Sequence, residues 1–304
     1  MMRPLTSLRV TRRGLQVALG LLWLLDGALQ LQPFMFETGF AREVIAPAAS
    51  GQPHLVAGPV GWAADVIASH PAGWNALFAS VQLLLGLGLL VRRTAPLALA
   101  ASLPWVAGVW LFGEGLGGLL GGQTSLLTGA PGSVLLYGVL ALAAWPSEGR
   151  ADVPPARWLP LAWATLWIGG ALLQALTSQN SGDAVAASIR DGADGAPHWL
   201  GRLNLDVAGW IGNHGTVAVA ALVVGEALIG LAALGRESFG FAVRAGLLLS
   251  LPICVLGQDL GQLYSGQATD PGSAPLIALM AVALLFGRQR PDSRNQSHPD
   301  RRSA

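Results

Sequence analysis

Histidine fills only five of the 304 positions, and four of the five form two matched pairs. His54 and His70 lie in GQPHLVAGPVGWAADVIASH (51–70), and His198 and His214 recur 144 residues on in GAPHWLGRLNLDVAGWIGNH (195–214). Gly51 and Pro53 return as Gly195 and Pro197 at the same offset. Imidazoles ligate metal ions and haem iron, so the four are candidate ligands. A continuous helix would hold His54 and His70 about 24 Å apart at 1.5 Å per residue. One shared ion therefore needs a break, for which Pro59 and Pro71 are candidates. The plainer alternative is hydrogen-bonded residues at the membrane surface that fix loop against bundle.

Acids supply the second set of candidates. Asp26 and Glu226 fall inside long apolar runs, where a carboxylate must face the bundle interior, be protonated or have a partner. At the same offset Glu226 falls on Gln82 and Asp26 on Gly170, while Gln30 falls on Gln174. Asp26, Gln30, Gln82, Gln174 and Glu226 are thus expected to line one outward-opening polar pocket, with helix–helix hydrogen bonding as the alternative. The segment 113–117, GEGLG, reappears as GQDLG at 257–261, so Glu114 falls on Gln258 and Asp259 on Gly115. Glu114 and Asp259 are candidates for proton handling or cation binding, or else for capping loops at the water boundary.

Other chemistries are absent. The chain has no phosphate loop, GxSxG, HExxH or dinucleotide fingerprint. Cys254 is the single cysteine, which excludes an internal disulfide and any CxxC site. Met35 and Met280 are the only internal methionines, too few for a thioether copper path. No cofactor is specified. A net charge of +1 without a basic stripe excludes a nucleic-acid partner.

These residues need a membrane scaffold to position them. Apolar residues make up 52% of the chain, charged ones 12%, and mean hydropathy is +0.51, which predicts a polytopic membrane protein with the lipid bilayer as partner. Eight apolar runs approach a span, at 14–32, 75–91, 95–112, 131–146, 158–176, 216–234, 239–256 and 273–286. Arg12-Arg13 before the first run resembles an export signal, but Trp23 and Gln30 recur as Trp167 and Gln174, which predicts a retained helix. With the N-terminus inside, fifteen of the eighteen arginines are cytoplasmic, placing both termini on the inner side of the cytoplasmic membrane. Arginine replaces lysine throughout, as in a GC-rich bacterial genome.

The expected fold is all-α: eight transmembrane helices as two parallel four-helix repeats, with short interfacial helices carrying Trp62, Trp199 and Trp210 in the external loops. The boundaries are 1–146 for the first repeat, 147–157 for a cytoplasmic linker, 158–287 for the second repeat and 288–304 for a disordered tail. Each half, with its four spans, its GLLWLLDGALQ run (20–30) and its long external loop, resembles the DoxX/DoxD-like membrane units. That resemblance implies quinone- or thiol-linked redox chemistry. It transfers no catalytic residue, since Trp23 and Asp26 occupy the run where an arginine is expected. QPFMF (32–36) and GEGLGG (113–118) are similar to an uncharacterised actinobacterial membrane-protein type. The alternatives to a redox-linked subunit are a proton- or cation-coupled transporter of a small molecule or metal ion, and an assembly factor docking an external protein.

Overall fold

The computed structural model describes residues 10–146 and 153–287. Most of the expected linker (147–152), the expected tail and eight of the cytoplasmically assigned arginines lie outside the described residues. The described chain is helical throughout, without a strand. Its main helices are α1 (Arg12–Leu29), α2 (His54–Ser69), α3 (Pro71–Leu90), α4 (Ala95–Gly108), α5 (Ser133–Ala143), α6 (Leu159–Leu176), α7 (Gly182–Asp191), α8 (His198–Ala232), α9 (Phe239–Pro252) and α10 (Ala274–Phe286). The eight apolar runs coincide with α1, α3, α4, α5, α6, the later part of α8, α9 and α10.

Five helical segments are long and apolar enough to cross a bilayer: Pro71–Leu90, Ala95–Gly113, Leu159–Leu176, His198–Ala232 and Phe239–Gly257. α1 has the length but carries Arg12, Arg13 and Asp26. Those arginines close the ends of neighbouring helices. Arg13 donates to the carbonyls of Leu89 and Leu90 (2.8 and 2.5 Å), and Arg12 to those of Pro154 and Trp145 (2.9 and 2.5 Å). Cations at helix C-termini satisfy orphan carbonyls and oppose the dipole.

α5 and α10, with 11 and 13 residues, are only about 16 and 20 Å long at 1.5 Å per residue. A partly buried loop precedes each. α4 widens into a π-helical turn (Val109–Gly113) and α9 into another (Ile253–Gly257). Each then passes a left-handed pair, Leu116 and Gly117 or Leu260 and Gly261. Such irregular backbone at bundle depth requires protein partners in place of water.

Glycine sets the closest helix contact. A Cβ on Gly86 of α3 would lie 2.8 Å from the Gly20 carbonyl oxygen of α1 and 2.7 Å from Leu24. Gly230 of α8 meets α6 alike, 3.0 Å from the Ala164 oxygen. The second half fills its interior with Trp163 and Trp167, both fully buried and 5.7 Å apart.

The segments bearing the histidine pairs differ between the halves. α2 is a separate helix, continuous through Pro59, and it stops at His70 before Pro71. Its counterpart is no short helix: residues 198–213 form the first arm of the 35-residue α8, which kinks at His214 (φ −127°, ψ 23°). Glycine at 215 lets the helix resume where proline at 71 starts a new one. Gly86→Val is expected to lower stability by about 1–3 kcal/mol, while Gly58→Val on α2, where a Cβ meets open space, leaves it near wild type. Thermal unfolding in mild detergent measures both, and equal midpoints would remove the close-contact argument.

Candidate functional site

One cavity of about 470 Å³ collects the chemistry of the first half. α1 presents Trp23, Asp26 and Gln30 to it, three residues spaced along one helical face. α3 adds Trp74, Phe78 and Gln82 at i, i+4 and i+8, and α5 adds Ser133 and Tyr137 at i, i+4. Trp105, Gly108 and Phe112 come from α4 and its π turn, and Trp62 and Val66 from α2. Asn75 holds the two main walls together, donating to the Gln30 carbonyl at 2.7 Å.

The rings form a connected wall. Phe78 lies 5.7 Å from Trp105, 6.1 Å from Trp74 and 6.5 Å from Phe40, and Trp23 lies 4.4 Å from Tyr137. Trp62 and Phe112, 5.9 Å apart and 61% and 37% exposed, make the rim. At the base, Asp26 is 2% exposed and Tyr137 neighbours its carboxyl. Asp26 Oδ1, Gln30 Oε1 and Gln82 Oε1 are buried without a hydrogen-bond partner, and the Tyr137 hydroxyl faces the Asp26 carboxyl. A cluster of unmet polar atoms in an aromatic chamber is what a binding site looks like before its ligand arrives.

The expected five-residue polar pocket is split between the halves. Asp26, Gln30 and Gln82 share the cavity, while Gln174 and Glu226 lie outside it. Gln174 donates to the Gln179 carbonyl. Glu226, 1% exposed, packs by Gly170, the position matching Asp26. There a Cβ on Gly170 would fall 2.2 Å from Leu126 Cδ1. Leu126 therefore fills in the second half the place Asp26 takes in the first. The wall residues differ too: Trp74, Phe78 and Trp105 stand where Ala218, Leu222 and Leu249 lie 144 positions on.

Glu114 and Gln258 cap α5 and α10. Glu114 Oε1 accepts from Ser133 Oγ (2.9 Å) and the Val134 N–H (3.0 Å). Gln258 Oε1 accepts from Ser273 Oγ (3.1 Å) and the Ser273 N–H (3.0 Å). Asp259 is buried, accepts from Asn204 Nδ2 at 2.7 Å, and abuts Gly192 with φ 46°. Burial raises its pKa, and the Asn204 bond opposes that rise. A polar vestibule of about 580 Å³ lies beside the cavity; it shares Glu114 and Asp270 with it and adds Glu43 and Asp259. The loops of the two halves cross there. Gln32 donates to Ala268 O (3.0 Å), Gln258 to Leu126 O (3.3 Å), and Thr177 to Thr124 O (3.1 Å).

The histidines are exposed, and the hydrogen bonds found for three of them are local. His70 Nδ1 meets Ser69 Oγ (3.1 Å), and His198 Nε2 meets Arg202 (3.5 Å). His214 Nδ1 meets Trp210 O (3.0 Å) and its ring stacks on that indole at 4.9 Å. His54 and His70 stand at opposite ends of α2. Among the described residues no three His, Cys, Asp or Glu gather as a metal site.

Sequence reasoning missed the aromatic wall. The signal was present in the 74/78/82 spacing and in the loss of those rings from the second half.

No family model, no curated protein and no solved structure matches the chain.

The Glu114 carboxyl is pushed up to about 8, first by burial and then by Asp270, against the bonds from Val134 and Ser133. A folded-state pKa above the unfolded one means the folded state holds the extra proton, so stability falls as pH rises from the unfolded value of 4.5 through about 8. Glu114→Gln, which copies Gln258, is expected to flatten that dependence. Unfolding midpoints from pH 5 to 9 that decline equally in both proteins would contradict this.

Proposed function

We propose that the chain is a multi-pass protein of the cytoplasmic membrane whose first half binds one small, largely apolar molecule in its outward-facing cavity. In this reading residues 1–146 and 158–287 are parallel four-helix repeats, giving eight spans with both termini cytoplasmic. α5 and α10 complete their crossings with the partly buried loops that precede them. The stretch around Trp62, and that around Trp199 and Trp210, lie at headgroup depth, where half-exposed indoles are favoured. What supports the repeat is the recurrence of paired features at one spacing: the glycine contacts at Gly86 and Gly230, the π turns, and the Glu114 and Gln258 caps.

The observation that carries the binding reading is the unpartnered Asp26 Oδ1 in an aromatic chamber large enough for a drug-sized molecule. The DoxX/DoxD-like resemblance makes a quinone the first redox-linked candidate. Thiol chemistry has no residue in the chamber, because Cys254 lies in the π turn after α9. A transporter coupling Asp26 to Glu226 is less favoured, since Leu126 and the second-half helices enclose Glu226 apart from the cavity.

Gly108 lines the cavity and has open space where a Cβ would be. Protein purified from native membranes is expected to carry a small molecule seen by mass spectrometry of its extract, and Gly108→Leu is expected to lose it with the fold intact. Identical extracts from the two proteins would refute the reading.

A further inference from the structure

We propose that the occupant of this cavity is an organic cation, an ammonium-type head on an apolar body, held by Asp26 and the indole and phenyl faces around it. The inference rests on the binding reading above and adds the charge of the ligand. Three carboxylates line the cavity, Asp26, Glu114 and Asp270, and among its described lining residues there is no Lys, Arg or His. A carboxylate at membrane depth needs a counter-charge or a proton. No described cation lies beside Asp26 in the cavity lining, and its buried Oδ1 has no hydrogen-bond partner. Aromatic faces, indoles above all, attract a cation through their quadrupole, most strongly where water is excluded. Trp23, Trp74, Trp105 and Tyr137 line the same cavity with such faces, Tyr137 next to the carboxyl.

The approach carries the same sign. Glu43, Asp259 and Asp270 line the vestibule without a described basic residue, and acid-lined clefts concentrate cations. Arg42, next to Glu43, is engaged elsewhere, 2.8 Å from Asp65. Where the carboxylate position becomes Gly170, the rings at 74, 78 and 105 are also replaced, although Trp23 returns as Trp167, and Leu126 fills the space.

The test uses the full chain in lipid nanodiscs and two probes of one shape, phenyltrimethylammonium and its neutral carbon isostere tert-butylbenzene, with decylubiquinone as a third. Binding is read from the shift in unfolding temperature and from tryptophan fluorescence. The ammonium is expected to bind and the isostere to bind at least about tenfold more weakly. Asp26→Asn is expected to cancel that preference, and Trp105→Leu to weaken ammonium binding as a second variant should Asp26→Asn fail to fold. Glu226→Gln leaves binding unchanged. Equal binding of the isostere or of decylubiquinone, indifferent to Asp26→Asn, overturns the cation and leaves the binding site standing. Failure of all three probes to bind, with no occupant in native extracts, overturns both.

Discussion

Backbone amides and carbonyls inside an apolar bundle must find partners within the protein, and that requirement governs this fold. Two of the helices, α5 and α10, cover only part of the bundle's depth, and the chain reaches them through irregular loops. Side chains do what water would do at a surface. Glu114 and Gln258 cap the two helix starts, and Gln32, Thr177 and Gln258 bind loop carbonyls of the opposite half. The halves are therefore knitted at their loops as well as packed along their helices. The same irregular backbone leaves room beneath it, and in the first half that room is the aromatic chamber.

Much of this was readable from residue order. The apolar runs located eight helical stretches but not α2, α7 or the first arm of α8, because long apolar segments have one stable conformation in lipid. Glu114 and Gln258, 144 residues apart in the sequence, perform the same capping task. Periodicity placed Asp26 and Gln30 on one face, and they do share a cavity with Gln82. Less legible was what depends on the third dimension. Nothing local in GQTSLLTGA (122–130) says that Leu126 crosses to the opposite half. Without that crossing Gln174 and Glu226 look equivalent to Gln30 and Gln82. Nor does spacing around His214 reveal a helix that bends without stopping, since a glycine at 215 reads as a breaker in isolation.

The two halves fill their interiors differently. In the first, a carboxylate and a set of rings face an open volume. In the second, Trp163 and Trp167 close on Gly246, and a leucine occupies the remaining gap. One half is thus built as a chamber and the other as a solid support. Glu226 is buried with an unpaired oxygen and lies outside the first-half cavity. Its polarity is a cost that the dense packing around it has to offset.

Leu126 has a consequence for how the polypeptide must be inherited. Its methyl groups complete the interior of a unit to which it does not belong, while Ala268 of that unit returns the favour at Gln32. Cutting the gene in the middle would leave the distal product with a hole at its centre and the proximal one with an unlatched cover. Each moiety consequently depends on a fragment of the other, and neither has a complete interior on its own.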